Sequence, residues 1–488
     1  MMIRKFFIGI LLVFLLFAVY ILFKTFTFTS NQLVVEPIQK VNIDAGAIGR
    51  FQEALRLKTI SHENPANFDS SAFEAFNQFI LERFPMVNEQ LEHQYFNEYS
   101  HLYKWTGNDD SLKPIILMGH LDVVPIASPD KWTADPFGGE VKDNIIWGRG
   151  TIDDKFTVVG ILEAAEMLIK EGFKPERTVY FSFGHDEEVG GGKGAVPIAA
   201  YLKKQGIEAE FVLDEGYAIT QQLIPGIEPD VALIGIAEKG STTIELKVDM
   251  VGGHSSQPAK ETAIDVLAAA VAKLKANPLP AVLTGPMQGF MDQLGPEMGF
   301  VNKMAFANRE IFKSIITGTY ESAGGSGNAL IRTTTSPTIF EAGIKENVIP
   351  TTARALVNFR IIPGQNADDV MNHVLQTIDD KRVKAEFTGF NGDPSPVSPK
   401  EGPAYSVINQ TIKEVFPNVL TAPNLVIGAT DSRHFKEISK NIYRFVPYHI
   451  NKDNIATFHG IDEHIPVEDY KDAIRFYRQL MLNSSAIH

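Results

Sequence analysis

The feature that most constrains the fold is a series of short apolar strands that alternate with helices and end in acidic or histidine side chains. "PIILMGHLD" ends in His120 and Asp122, "RTVYFSFGHDEE" ends in Glu187 and Glu188, and "AEFVLDEG" ends in Asp214 and Glu215. Strands that alternate with helices such as "KFTVVGILEAAEMLIKEG" predict an α/β domain with parallel strands. Ligands bind outside the carboxyl ends of such strands, so the pattern predicts one shared site.

A different pattern begins near residue 238. The order is strand, helix, strand, strand, helix, strand, from "STTIELKVDMVGG" to "VKAEFTGF", which is the ferredoxin-like order. We expect a lid domain at 238–393, inserted between two parts of a catalytic domain at 45–237 and 394–488. The segment 277–335 is unusually long, and we expect a partly irregular insertion over one face.

The N-terminus predicts a membrane segment. Arg4 and Lys5 precede an uncharged apolar run, Phe6–Phe23, which as a helix spans roughly 27 Å of a bilayer core of about 30 Å. The basic flank predicts a cytoplasmic N-terminus, with the bulk of the chain in the periplasm, a lumen or the extracellular space. We expect an uncleaved single-pass anchor at 1–25 and a stalk at 26–44. A cleaved signal peptide is the competing interpretation.

The amino-acid composition limits which metal ligands and which partners the chain can have. The chain has no cysteine, which excludes disulfides and thiolate metal sites, so a bound metal must use His, Asp or Glu. The net charge of −14 disfavours a nucleic-acid partner, because phosphate binding needs a basic surface.

The candidate ligands are oxygen and nitrogen donors, which suit Zn²⁺ and also accept Mn²⁺ or Co²⁺. His120 and Asp122 share a face of an extended segment, so Asp122 can accept the second imidazole N–H. Asp153, in "WGRGTIDDK", is either a ligand or an ordinary helix N-cap. Glu187 and Glu188 are neighbours that point in different directions, so one can bind metal while the other takes a proton from water.

Six motifs in this order resemble the co-catalytic zinc peptidase family: "MGHLDVVP", "WGRGTIDDK", "GHDEEVGGG", "VLDEG", "GGHSSQP" and "FHGIDEHIP". That family includes aminoacylases, succinyl-diaminopimelate desuccinylases, carnosine dipeptidases and glutamate carboxypeptidases. The resemblance covers roughly residues 45–485 and is strongest to the branch of carboxypeptidase S and the N-fatty-acyl-amino-acid synthase/hydrolases. It implies a three-layer α/β catalytic domain, a ferredoxin-like lid and two zinc ions.

The resemblance also implies residue roles in the catalytic domain. It implies a cis peptide bond after the bridging aspartate, and it selects His459 rather than His464 as a ligand. The implied roles are first-zinc ligands His120 and Asp214, bridging ligand Asp153, second-zinc ligands Glu188 and His459, general base Glu187, and Asp122 orienting His120.

Further roles concern the substrate. The resemblance implies that His254 binds the oxyanion and that Arg360 binds a substrate carboxylate, for which the guanidinium fork is suited. Asn347 is a candidate helper. Gly428 and Asp431, in "GATDSRHF", are candidates for a loop near the leaving group.

These features predict a membrane-anchored metallopeptidase that removes the C-terminal residue of small peptides with zinc-activated water. The alternative within the family is an aminoacylase that acts on N-acyl amino acids with a free carboxylate. A non-catalytic membrane-anchored binding protein is a remote alternative. Homodimerisation is possible for such a family, and the long insertion leaves the oligomeric state open.

Overall fold

The computed structural model describes residues 2–485. Its largest element is a mixed sheet of ten strands, with helices packed on both faces. The α/β fold expected from the alternation of strands and helices is confirmed.

The helices, numbered in chain order, are α1 Met2–Thr27, α2 Gly46–Arg56, α3 Ser70–Arg83, α4 Pro85–Gln90, α5 Lys155–Lys170, α6 Ala195–Lys204, α7 Ala263–Ala276, α8 Gly285–Leu294, α9 Phe300–Ala307, α10 Arg309–Ser322, α11 Gly325–Ile331, α12 Ala367–Ile378, α13 Pro403–Val415 and α14 Val467–Ser484.

The strands are β1 Glu92–Phe96, β2 Ser100–Trp105, β3 Ile115–His120, β4 Glu140–Lys142, β5 Ile145–Trp147, β6 Val179–Gly184, β7 Phe211–Asp214, β8 Ile219–Thr220, β9 Val231–Glu238, β10 Gly240–Asp249, β11 Gly253–His254, β12 Thr334–Ala342, β13 Val348–Ile349, β14 Thr352–Ile361, β15 Val383–Gly392, β16 Leu420–Val426, β17 Ile442–Arg444, β18 His449–Ile450 and β19 His464–Pro466.

The order of the large sheet is β1-β2-β6-β3-β7-β17-β9-β8-β18, and β16 pairs with β9. The strands β6, β3 and β7 are adjacent and parallel, with His120 opposite Gly184 and Leu117 opposite Leu213. Because neighbouring parallel strands end at the same edge, the polar residues that follow all three come together there.

Helix α5 occupies the centre of the main core. Almost all its side chains are buried, including charged Glu163 and Glu166, and it packs against β3 and α14. Glu163 is paired with Arg50 of α2, with Nε to Oε1 at 2.5 Å. Gly172, at φ +77°, follows the end of the helix and adopts a left-handed conformation that favours glycine. The helix therefore fixes its N-terminal end, directly after Asp153 and Asp154, against the sheet.

The lid has the predicted ferredoxin-like order. Its antiparallel sheet runs β12-β14-β10-β15, and α7 and α12 share a core with the sheet. Strands β10 and β14 alternate between buried and more exposed positions, as expected for a sheet covered on one face. Each helix begins with a capping box, Thr262 with Asp265 in α7 and Asn366 with Asp369 in α12.

The insertion 277–335 is largely helical, which corrects the expectation of a partly irregular segment. It forms α8 to α11, and these helices share a core with β9 and β16 of the large sheet. Glycines and prolines at the ends of these short helices, as in Gly295-Pro296 and Gly324, interrupt the helical periodicity on which the sequence interpretation depended.

The segment 28–44 lies along the body and has no helix or strand. The Gln32 side chain exchanges hydrogen bonds with the Thr421 backbone, at 2.9 Å in both directions. Further along, the Ile38 N–H donates to Glu414 O, and Lys40 pairs with Asp472. The part of the expected stalk at 28–44 therefore lies against the body.

Candidate metal centre and active-site cleft

Asp153 lies between two histidines from distant parts of the chain. Its Oδ1 is 3.0 Å from Nε2 of His120, and its Oδ2 is 2.8 Å from Nε2 of His459. His120 ends β3, Asp153 precedes α5, and His459 lies in a loop at φ +55°. One carboxylate with a histidine on each oxygen is the arrangement needed to bridge two cations.

Two acidic residues complete two potential metal sites that share Asp153. Oε1 of Glu215 is 4.0 Å from Nε2 of His120, and Oε2 of Glu188 is 3.3 Å from Nε2 of His459. Within each group of three, the donor atoms all lie within 4.8 Å of one another. Zinc–oxygen and zinc–nitrogen bonds are about 2.1 Å long, so one ion reaches both donors of each pair.

One of the five expected metal ligands, Asp214, lies outside both groups of donors. Asp214 was expected as the ligand that completes the first site, and among the described residues it belongs to neither group of donors. Its Oδ2 instead accepts the N–H of Ser432 at 2.8 Å. The next residue, Glu215, directs its carboxylate towards His120, so the geometry offers Glu215 in place of Asp214.

Asp122 connects the histidine to the two glutamates. Nδ1 of His120 lies 3.0 Å from the Asp122 carbonyl oxygen and 3.3 Å from its Oδ1. The Asp122 carboxylate also accepts the backbone N–H groups of Glu187 and Glu188, each at 3.1 Å, and the hydroxyl of Ser61 at 2.6 Å. One buried carboxylate therefore orients the imidazole and sets the positions of both glutamates.

A second buried carboxylate, Glu463, shapes the loop that carries Asp153. Its Oε1 accepts the N–H groups of Gly150, Ile152 and Asp153 at 2.9 to 3.3 Å, and its Oε2 pairs with Arg149. The peptide bond between Asp153 and Asp154 is cis, as the resemblance implied. Glu463 lies within the motif "FHGIDEHIP", but its role was not predicted from the sequence.

The charges of this centre need compensation. Burial raises the pKa of Glu187 and Glu215 well above their ordinary values, and raises the pKa of Glu188 to about 7. Contacts with Asp153 and Glu188 raise the pKa of His459 to about 10. Oε1 of Glu188 is buried and has no hydrogen-bond partner among the described residues. Several desolvated carboxylates, one of them with an unpaired oxygen, fit a site that holds cations.

The metal centre opens into a cleft of about 730 Å³ between the catalytic domain and the lid. Arg360 reaches the cleft from β14 of the lid, and Gly428 lies on its wall, as expected from the sequence. Arg433, which the sequence analysis did not single out, also lines the cleft and lies over the ring of Phe390 at 5.6 Å.

Four exposed apolar side chains line the same cleft. They come from the loop after Glu188, from lid strand β15, from the loop after β16 and from the residue before His459. They are Val189, Phe390, Ile427 and Phe458. The cleft therefore joins a metal centre, two guanidinium groups and an apolar lining.

His254 and Asn347 lie elsewhere in the lid. His254 of β11 pairs with Val348 of β13, and Asn347 directly precedes that strand, where its carbonyl accepts the Ser255 N–H at 3.1 Å. His254 is exposed, with Nδ1 2.8 Å from the Ser256 hydroxyl, and neither residue is among the described residues that line the cleft. A role for His254 at the metal centre therefore needs a lid movement or a second copy of the chain.

Comparison with known proteins identifies the family. Residues 116–483 match the model of peptidase family M20/M25/M40. The chain belongs to the M20 peptidase family. It is 41% identical to probable carboxypeptidase S-like 2 of Dictyostelium discoideum, over 99% of this chain and 93% of that protein. It is 43% identical to the N-fatty-acyl-amino acid synthase/hydrolase of Xenopus tropicalis, over 88% of this chain and 84% of that protein.

A solved structure supports the fold assignment. The M20 family metallo-carboxypeptidase from Sulfolobus solfataricus superposes with a TM-score of 0.64 at 18% identity, covering 90% of this chain and 99% of that one. The carboxylate and histidine donors thus lie in the fold of a family of metal-dependent hydrolases, and this M20 protein is an enzyme of that class.

Proposed function

We propose that this M20 enzyme hydrolyses the amide bond of N-acyl amino acids that carry an apolar acyl chain and a free carboxylate. The observation that carries the proposal is the composition of the cleft, in which the metal centre, Arg360 and four exposed apolar side chains face one volume. The Xenopus tropicalis relative is named for N-fatty-acyl-amino acids, which have these chemical features.

A carboxypeptidase activity on small peptides is the second candidate, and the Dictyostelium discoideum relative favours it. Such a substrate presents the same amide and carboxylate, so the same Arg360 would bind it. The two activities differ in the acyl side, where the apolar lining favours a long hydrocarbon chain over a polar peptide backbone.

The donor set fits two zinc ions. His120, Asp153 and Glu215 would hold one ion, and Asp153, Glu188 and His459 would hold the other. When bound, the pair would polarise the amide carbonyl and lower the pKa of water at the site.

The remaining steps belong to the protein's own side chains. Glu187 lines the cleft, its side chain is outside both donor groups, and its raised pKa suits a group that takes a proton from water and returns it to the leaving amine. Asp122 holds the backbone of Glu187 in place. Arg360 binds the carboxylate of the substrate through two parallel N–H bonds.

The variant Glu187→Gln tests the mechanism. We expect the purified variant to keep the metal content of the parent and to lose about 10²- to 10⁴-fold in kcat, because a glutamine cannot transfer the proton. Metal is measured by mass spectrometry and turnover with an N-acyl amino acid. Full activity in the metal-loaded variant would show that another group acts as the base.

A substrate series tests the acyl preference. We expect kcat/KM to rise with acyl chain length for N-acyl amino acids, and to exceed that for peptides ending in the same residue. The double variant Phe390→Ser and Ile427→Ser should flatten the dependence on chain length and leave short-chain substrates unchanged. Equal rates for peptides and long-chain acyl amino acids would favour the carboxypeptidase alternative.

We also propose that α1 is retained as a membrane anchor. It is the one helix in residues 2–485 that is long and apolar enough to cross a membrane. Its C-terminal end is fixed to the body, because Thr25 is buried and Asn308 Nδ2 lies 3.3 Å from its hydroxyl. Intact-mass measurement of the membrane fraction tests this, and a mature chain that lacks α1 would establish a cleaved signal peptide.

A further inference from the structure

Helix α1 meets the body where two helices of the insertion join. Asn308, between α9 and α10, donates from Nδ2 to the Ile21 carbonyl and to the Thr25 hydroxyl, each at 3.3 Å. Ile21 belongs to the uncharged run Phe6–Phe23, and it precedes Phe23 by about 3 Å along the helix. That run matches the thickness of a hydrocarbon core, so a membrane-spanning α1 would place the junction of α9 and α10 level with the membrane boundary.

The surface around this junction is apolar and exposed. Phe26 of α1 contacts Phe300 of α9, with ring centroids 6.1 Å apart, and the adjacent Val301 is 71% exposed. On α10, Ile311 and Ile315 are one turn apart on the same face and are 42% and 64% exposed. We name these five residues the juxtamembrane patch. An exposed apolar group of this kind marks a contact surface rather than ordinary solvent-facing helix.

Basic side chains accompany the patch. Lys24 lies in the last turn of α1, and Lys303 follows Phe300 by three positions, which places the two on the same side of α9. Exposed aromatic and aliphatic side chains interspersed with lysines are typical of helices at the headgroup boundary, where the lysine stems extend towards anionic groups.

We propose that α9 and α10 rest in the headgroup and upper acyl region of the bilayer that α1 spans, so that the body lies directly on the membrane. This inference rests on the proposed retention of α1. We infer that lipid, rather than another protein, covers the juxtamembrane patch. The reason is that the patch is continuous with α1 and begins at the residues where the chain leaves the hydrocarbon core. Residues 28–44 lie along the body, where the Gln32 side chain is hydrogen-bonded to the Thr421 backbone. This segment therefore keeps the body close to the C-terminal end of α1.

The absence of cysteine from the sequence allows a direct test with single labels. Full-length variants Ile315→Cys, Phe14→Cys and Ile344→Cys carry an environment-sensitive fluorophore and are reconstituted in nanodiscs of phosphatidylcholine and phosphatidylserine. Ile344, in the lid, is 95% exposed and serves as the matched control. Quenching is measured with aqueous iodide and with lipids that carry a nitroxide near the headgroup end of the acyl chain or near its terminal methyl.

We expect the label at position 315 to be quenched several-fold more by the shallow nitroxide than the label at position 344, and several-fold less by iodide. The label at position 14 should respond to the deep nitroxide. If position 14 is deep while position 315 responds to iodide like the control, the membrane contact of α10 is overturned and the anchor stands. A position 315 label protected from both quenchers points to a second protein copy and overturns the proposal.

If iodide quenches the labels at positions 14 and 315 as strongly as the control, both the membrane anchor α1 and the membrane contact of α9 and α10 are overturned. Hydrolysis of a short soluble N-acyl amino acid is measured in the same samples. The depth of the labels does not depend on turnover, so a failure of the proposed activity is distinguishable from a failure of the proposed membrane contact.

Discussion

The choice between Asp214 and Glu215 is the sharpest test of the metal centre. The two residues are adjacent at the end of β7, and the structure directs Glu215 towards His120 while Asp214 accepts the N–H of Ser432. We expect Glu215→Gln to impair metal binding and Asp214→Asn to have little effect on it. Both substitutions keep the size of the side chain and remove its charge, so they form a matched pair.

The expected magnitudes follow from the contacts. Glu215 Oε1 and His120 Nε2 are 4.0 Å apart, which is within two metal–ligand bonds of about 2.1 Å each. Loss of a residue that merely supports a ligand costs about 10- to 100-fold in metal affinity, and loss of the ligand itself should cost at least as much. Asp214→Asn keeps an acceptor for the Ser432 N–H, so its cost is the difference between a charged and a neutral acceptor, about 1 kcal/mol of folding stability.

The assay is competition for Zn²⁺ between each variant and a chromophoric chelator, followed by metal analysis after dialysis. Thermal unfolding of the apo-protein separates a folding defect from a defect in metal binding. The reasoning is refuted if Asp214→Asn loses one equivalent of metal while Glu215→Gln keeps two and binds them with the affinity of the parent.

Three further predictions concern stability and substrate binding. Arg444→Met leaves the buried Glu238 carboxylate without its partner and should lower the free energy of unfolding by about 3–5 kcal/mol in urea, whereas Arg382→Met, in an exposed pair, should cost less than about 1 kcal/mol. Phe51→Ala removes a fully buried ring and should cost about 3–5 kcal/mol in the same assay, and a cost under about 1 kcal/mol would contradict the core packing. Arg360→Lys should lower kcat/KM roughly 10-fold or more with unchanged metal content, and unchanged kinetics would exclude a bidentate contact with the substrate carboxylate.

The sheet of the catalytic domain could be predicted because each strand is marked by a short apolar run in the sequence. The apolar runs that end in His120, Glu187 and Asp214 become adjacent strands, since parallel strands connected by helices place their carboxyl ends together. The residue choice at the end of β7 could not be predicted in the same way. Beyond the end of a strand, alternation no longer determines where a side chain points, so tertiary contacts decide: Asp214 accepts the Ser432 N–H, and Glu215 is directed towards His120.

The positions of the lid residues depend on how two domains are arranged, which no local pattern encodes. Arg360, near the end of β14, lines the cleft, while His254 lies in the separate pairing of β11 with β13 and Asn347 directly precedes β13. Glu463 was missed for a related reason. Its function is to accept N–H groups from a loop more than 300 residues earlier, a role that its own neighbours in the sequence do not reveal.

The insertion connects the C-terminal end of α1 to the cleft through one packed core. Phe28, which follows α1, and Tyr217, which lines the cleft, both pack against the apolar side chains of α8 to α10, and the Tyr217 hydroxyl donates to Leu425 O at 2.7 Å. An amphiphile with a long acyl chain and one carboxylate concentrates in the headgroup boundary, where the juxtamembrane patch is proposed to lie. A body held there by α1 would meet such a substrate at the surface concentration rather than the much lower aqueous one. The proposed membrane contact and the apolar cleft would therefore serve the same chemistry, since each favours substrates that water alone would deliver slowly.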